Sequence, residues 1–275
     1  MESTQPRFVG VDAGPEGWVA VRYDDRYVDA RWYPDADALW ADNRTAETIL
    51  IDVPIGLRET SAEPRPCDRE ARERLGAPRA SSVFPPPVRC AVYVGSYEAA
   101  KRIQERKTGG SLGRQVYAIT DRIWEVDELL LFAEPSPQGT LREAHPEVCF
   151  WALDRDATTG HHAATTYSKT GQPALAFWER VAILETVDED VLDSLQDAGE
   201  TLLDQAAHPD RFPDADAVPA EGFALGNDDL IDAFVLALTA SPLTGPLETL
   251  PSDRAEVETD PRGLPMEMVY AEPLE

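Results

Sequence analysis

Thr48-Ile49-Leu50-Ile51-Asp52 is an unbroken apolar run closed by an aspartate, the pattern of a strand covered on both faces. The segment before it, residues 36–43, has the amphipathic pattern of a short helix, and a helix in the crossover sets this strand parallel to its sheet neighbour. Nearer the start, Phe8-Val9-Gly10-Val11-Asp12 is a second short apolar run ending in aspartate and entering the turn Ala13-Gly14-Pro15. Residues 18–23 and 27–33 are strand-like and separated by Asp24-Asp25, so the chain is expected to open with a three-stranded antiparallel meander. If the first and fourth strands are neighbours, Asp12 and Asp52 stand at the same sheet edge. A fifth strand is expected over residues 141–144. The fold class is therefore α/β, a five-stranded mixed sheet flanked by helices.

Residues 58–95 are rich in proline, arginine and serine, with a helical stretch near 67–75. Helices are expected over 97–106 and 115–132, on either side of a glycine-marked loop at 109–113. The whole reads as a helical and loop insertion at about 58–135 in a single elaborated domain spanning 1–275, a size that one core can serve. Pro146 suits the first position of a helix running to Leu153. Helical patterns return at 174–187 and 190–207, residues 209–221 read as an acidic solvent loop, Asn227 is expected to cap a helix over 228–240, and residues 255–270 read as a closing hairpin around Asp260-Pro261-Arg262-Gly263.

The hydrophobic share is 43%, and no apolar run approaches the ~18 residues of a membrane-spanning helix. The polar start lacks a secretory pattern, so a soluble cytoplasmic protein with no membrane association is expected. Three cysteines with no CxxC pair read as free thiols. Against 25 basic residues stand 51 acidic ones, a net charge of −26, and lysine occurs only at 101, 107 and 169. Taken alone, such a surface repels nucleic acid. A halophilic, lysine-poor composition suits molar salt, where the Debye length is ~3 Å and long-range repulsion is screened, so the charge does not exclude a polyanionic partner.

Neighbouring strands lie ~4.8 Å apart, so carboxylates on adjoining strand ends reach one cation; the plain alternative for Asp12 and Asp52 is turn formation. Asp232 is the sharper clue. It interrupts an otherwise apolar helix, where an unpaired carboxylate is costly. Asp228 and Asp229 precede it by four and three residues on the same face, and both also suit the dipole of a first helical turn. Glu143 shares a strand side with Leu141 and His145, whereas Glu147 falls in the first turn of the next helix, so Glu143 is the expected ligand, with arginine pairing as its alternative. His145 reads as a donor behind the ligands, a phosphate contact or a helix cap. His161-His162 lack the spacing of a zinc site. Four or five carboxylates suit a pair of Mg²⁺ or Mn²⁺ ions ~3.5–4 Å apart, which activate water against a phosphodiester. Phosphate contacts are expected from Arg79, Arg89, Arg114 and Lys169, each with an ordinary surface charge as the alternative.

The same segments carry a resemblance. Gly10-Val11-Asp12, Ile51-Asp52-Val53-Pro54-Ile55-Gly56-Leu57, Cys67-Asp68, Arg79 with Ser81-Ser82-Val83-Phe84, Glu125-Val126-Asp127, Arg142-Glu143-Ala144-His145-Pro146-Glu147, Ser168-Lys169-Thr170 and Gly263-Leu264-Pro265-Met266-Glu267 together resemble domain-of-unknown-function family 429, described as predicted RNase H-like nucleases. Asp229-Leu230-Ile231-Asp232-Ala233 looks like the DxxDA helix of RuvC-type resolvases. The resemblance implies an RNase H-like fold and a metal-dependent nuclease acting on nucleic acid, with Asp12, Asp52, Glu143, Asp229 and Asp232 as the catalytic and metal-binding set. Two alternatives stay open: a non-catalytic binding protein that keeps the fold, and a nucleotide-binding relative of actin and the sugar kinases.

Overall fold

The computed structural model describes residues 7–61, 63–156, 158–211 and 222–274. In chain order the elements are β1 (Phe8–Ala13), β2 (Trp18–Tyr23), β3 (Tyr27–Tyr33), α1 (Ala36–Asn43), β4 (Thr48–Ile51), α2 (Pro66–Arg79), α3 (Arg89–Val92), α4 (Tyr97–Thr108), α5 (Arg114–Ala118) and α6 (Thr120–Phe132). There follow β5 (Leu141–Glu143), α7 (Pro146–Leu153), α8 (Pro173–Leu184), α9 (Val191–Ala207), α10 (Asn227–Ala240), β6 (Glu248–Leu250), β7 (Glu258–Thr259), β8 (Pro265–Met266) and β9 (Met268–Tyr270).

The main sheet has the order β3-β2-β1-β4-β5. β1, β2 and β3 pair antiparallel, and β1 with β4 and β4 with β5 pair parallel. This is the expected five-stranded mixed sheet flanked by helices, consistent with an RNase H-like fold. Val11 lies opposite Ile51, and the Asp52 amide donates to the Val11 carbonyl at 3.0 Å. Asp12 and Asp52 thus leave adjacent parallel strands side by side, at the carboxyl ends where open α/β sheets place their ligands.

Strand alternation sends the two faces into separate cores. Val9, Val11, Ile49 and Ile51 pack with α1 and α6, in a cluster that includes Leu39, Ile123 and Val126. Val19, Val21 and Leu50 face the other way, into a larger cluster with α7 and α10. α10 lies directly across β1, and Gly10 permits that contact: a Cβ there would meet the Ala237 backbone nitrogen at 2.1 Å and the Ala233 carbonyl at 2.2 Å. The absent side chain lets Asp232 sit above the end of β1. Gly10→Ala is expected to lower stability by about 3 kcal/mol, the upper part of the overpacking range, because helix backbone cannot rotate away. The check is a lower urea midpoint at an unchanged denaturant slope; an unshifted midpoint would mean that the helix yields.

Several expectations are refined. The helical stretch at 115–132 is two helices, broken at Ile119 (φ −101°, ψ 4°). α10 begins at Asn227 with Gly226 as its cap residue, so Asn227 is not the cap; the Gly226 amide donates to Asp229 Oδ2 at 2.8 Å, and the carboxylate three residues on does the capping. Of the closing hairpin only the short pair β7–β8 forms, whereas β9 pairs with β6 and bridges Ala144, joining the tail to the main sheet's β5 edge. Of the expected acidic loop at 209–221, residues 209–211 form a single 3-10 turn, and the remainder lies outside the described residues. Cys67, Cys90 and Cys149 are free, the first and last buried. Among the described residues no helix is long and apolar enough to cross a membrane.

Candidate metal centre

Asp12 ends the buried part of β1, its Oδ1 accepting from the Ala13 amide at 2.8 Å. Asp52 directly follows β4, and Asp232 lies in the second turn of α10. Asp12 and Asp232 are 8% and 5% exposed, so neither is solvated as an ordinary surface acid is. Lys169, from the segment before α8, donates from Nζ to Asp232 Oδ2. The other oxygen, Asp232 Oδ1, is buried and has no hydrogen-bond partner. These four side chains line a cavity of about 310 Å³ together with Arg65, Asp68, Glu143, His145 and Glu147.

The acids of this cavity divide by their cations. The Arg65 guanidinium donates from Nη1 and Nη2 to Glu143 at 2.7 and 2.6 Å, and from Nε and Nη2 to Asp68 at 3.0 and 2.6 Å; Glu143 Oε2 also accepts from the Ile55 amide at 2.6 Å. Glu147 pairs with Arg180 and accepts from the Thr165 hydroxyl. Asp232 has Lys169. Asp12 and Asp52 have no ion-pair partner among the described residues; Lys169 acts on both from a distance.

The titration tendencies follow. Burial first, and then the charges of Asp232 and Asp52, push the Asp12 carboxyl well above its ordinary value. Burial raises Asp52, and it raises Asp232 to about 6 against the opposing pull of Lys169. Burial also pushes Glu147 up, but Arg180 and Thr165 outweigh it and hold that carboxyl below the usual range. Glu143 is raised by burial to about 7, with Arg65 opposing.

Glu143 therefore lines the cavity as the partner of Arg65. Register explains this. Glu143 lies opposite Ile51, whose side chain belongs to the α1/α6 core, so by alternation it springs from the face opposite that of Asp52. Cys67, Asp68 and Glu143 bring ligand atoms within 4.8 Å of one another, a buried group that could hold a metal ion, but the guanidinium already satisfies both of its carboxylates. Asp229 is half-buried and engaged in capping α10; it stands outside the cavity's lining while adding its field to Asp12.

Among the expected phosphate contacts, Lys169 and His145 line the cavity. His145 caps α7, its Nδ1 accepting from the Glu147 amide at 3.2 Å. Arg79 stands behind Glu147, 3.6 Å from its carboxylate, and donates to the Thr165 hydroxyl and the Tyr167 carbonyl. Arg89 is not a cavity residue: it is buried, its guanidinium bound to Asp127 and Asp260. Arg114 is exposed at the start of α5, over the Tyr97 ring at 4.3 Å, and it too is absent from the cavity wall. His161 is exposed, and His162 is tilted against Trp151. Sequence reasoning missed Arg65 and Asp68, and it set Glu147 aside as a helix-dipole residue although that side chain faces the cavity.

Two carboxyl groups without an ion-pair partner among the described residues and one orphaned buried oxygen, all oxygen donors, suit a hard divalent cation such as Mg²⁺ or Mn²⁺. The fold and site thus define an α/β protein with a carboxylate-rich cavity at the ends of two parallel strands. The chain belongs to the family described as "Protein of unknown function (DUF429)", whose model matches residues 10–256 and so includes every acidic residue of the cavity. No curated protein and no solved structure matches it.

Proposed function

We propose that the chain is a divalent-metal-dependent nuclease of the RNase H-like kind, hydrolysing phosphodiester bonds of DNA or RNA with Mg²⁺ or Mn²⁺ as cofactor. The observation that carries this reading is the buried, unpartnered Asp232 Oδ1 beside Asp12 and Asp52. An unsatisfied charged atom costs ~1–3 kcal/mol or more, and a shared cation removes that cost. Asp12, Asp52 and Asp232 would hold the metal, with Asp229 reinforcing the negative potential from outside. When bound, the metal supplies a nucleophile from water near neutral pH and stabilises charge on the leaving oxygen. Lys169 puts an ammonium at the cavity wall, where it meets a phosphoryl oxygen while staying bound to Asp232. With Nδ1 of His145 committed to the α7 cap, Nε2 is the ring nitrogen left to donate to a phosphate in the cavity that His145 lines. Arg65 fixes the wall by holding Glu143 and Asp68, and Arg180 does the same for Glu147.

The test uses purified protein at molar salt with Mn²⁺, offered single-stranded, branched and RNA–DNA hybrid substrates. Cleavage that chelation abolishes is expected; binding of Mn²⁺ with no cut on any of the three would overturn the nuclease reading. Protons and metal compete for the same oxygens. The rise in melting temperature caused by Mn²⁺ at pH 7.5 should therefore shrink as the pH falls through about 6, where Asp232 protonates. A rise that stays constant down to pH 5 would remove the buried carboxylates from the ligand set.

A further inference from the structure

A second cleft, of about 400 Å³, adjoins the acidic cavity and shares Lys169 with it. Its volume is that of a small-molecule site. Phe177 and Trp178 form its aromatic side, their ring centroids 5.4 Å apart and their planes at 83°. Phe177 is packed against the main core, which fixes it, whereas Trp178 is 58% exposed. Ile231, 1% exposed, lies beneath the cleft, and Asn227 and Asp228, both exposed, bring an amide and a carboxylate. Ile231 precedes Asp232 in α10, so the helix that carries the orphaned oxygen also lines this cleft.

The cleft wall carries three kinds of group: Lys169, shared with the acidic cavity, attracts an anion; Phe177 and Trp178 offer aromatic surface; and Asn227 and Asp228 offer hydrogen-bonding groups, Asp228 accepting from an amino group. Arg180 also lines it, but is bound to Glu147. A lipid chain has nothing to offer Asn227 and Asp228, and a neutral sugar, although its C–H face can stack on Trp178, brings no anion to Lys169. A nucleobase joined to a phosphate matches all three kinds of group. We infer that this cleft holds an unpaired nucleobase of the substrate, stacked on Trp178, while its phosphate lies toward Lys169 and the acidic cavity. A base inside a duplex cannot enter without leaving its stack, at a cost of a few kcal/mol, so single-stranded or extruded nucleotides are the substrate class. The phosphate's destination rests on the nuclease reading; the base site rests on its own side chains.

The experiment follows tryptophan fluorescence as adenosine is added to the full chain in EDTA, where no metal chemistry operates. Saturable quenching is expected in the native protein and in Trp124→Ala, which removes the other markedly exposed tryptophan. In Trp178→Ala the quenching disappears, and calorimetry should show adenosine affinity about tenfold weaker, within the range for one stacked base. Undiminished adenosine affinity in Trp178→Ala, or no quenching in the native protein, would overturn the inference. Mn²⁺ titrations keep the two readings apart. Trp178→Ala should bind Mn²⁺ normally, and Asp52→Asn should lose Mn²⁺ yet keep adenosine; a chain that binds adenosine but never cleaves leaves the base site standing and the nuclease reading refuted.

Discussion

Asp52→Asn is expected to cut Mn²⁺-dependent cleavage by at least about a hundredfold and, at the same time, to raise the melting temperature of the metal-free protein. The floor on activity comes from comparison: groups behind a metal's direct ligands already cost ~10–100-fold when removed. The stability gain follows from the surroundings of Asp52. Its carboxylate has no ion-pair partner among the described residues, and burial raises its proton affinity; His145 and Lys169 oppose this without reversing it, and the Glu147 charge adds to it. An amide of the same shape removes the buried charge and breaks no ion pair. A carboxylate serving the fold would behave in the opposite way, losing stability and leaving activity alone. Circular dichroism melts with and without Mn²⁺, beside single-turnover cleavage, separate the cases; a lower melting temperature with full cleavage would make Asp52 a structural residue.

Asp12 and Asp52 were legible in the sequence because two local signals converged, an apolar run closed by aspartate and a helical crossover that makes the runs parallel. Asp232 was legible because a carboxylate broke an apolar helix. What could not be read is long-range. Arg65 meets Glu143 across 78 residues of chain, and the segment around it is so rich in proline and arginine that it reads as surface. There the composition misled: Arg65 and Arg89 are 2% and 5% exposed and act as internal counter-ions. The choice of Glu143 over Glu147 rested on carrying strand alternation through residue 145, but β5 ends at Glu143 and α7 begins at Pro146. Alternation therefore compared side chains in different conformations, and only the register with β4 could assign Glu143 to its face.

In a chain of net charge −26, this use of arginine ties the site to the fold. Arg65, Arg89 and Arg180 each pair with buried acids, which leaves Lys169 as the ammonium within the acidic cavity among the described residues. Asp12 and Asp52 are the buried-site acids with no such partner among the described residues, whereas Asp68, Asp127, Glu143, Glu147 and Asp260 each meet a guanidinium.

The largest effect on stability is therefore expected at Arg65. Arg65→Met leaves Asp68 and Glu143, 1% and 4% exposed, facing each other without a cation, and breaking a buried pair in this way costs ~3–5 kcal/mol. That is a large share of the ~5–15 kcal/mol that holds a typical domain together. The deficit has a definite pH dependence. Glu143 is raised to about 7 even with Arg65 lowering it, so without the guanidinium its carboxyl rises further. A carboxyl raised in the folded state destabilises that state when charged and is relieved on protonation. Stability of the variant should thus recover as the pH falls from 8 toward 5, and urea midpoints across that range measure it. Glu143→Gln should be milder, since its amide oxygen still accepts from Ile55 and Arg65 keeps Asp68. Arg65→Met also asks whether Cys67, Asp68 and Glu143 form a metal site in their own right. If the guanidinium merely occupies a cation's place, Mn²⁺ or Zn²⁺ should restore the variant's stability at pH 8; if the three groups are shaped around Arg65, no divalent cation will, and metal binding in the native protein belongs to Asp12, Asp52 and Asp232 alone.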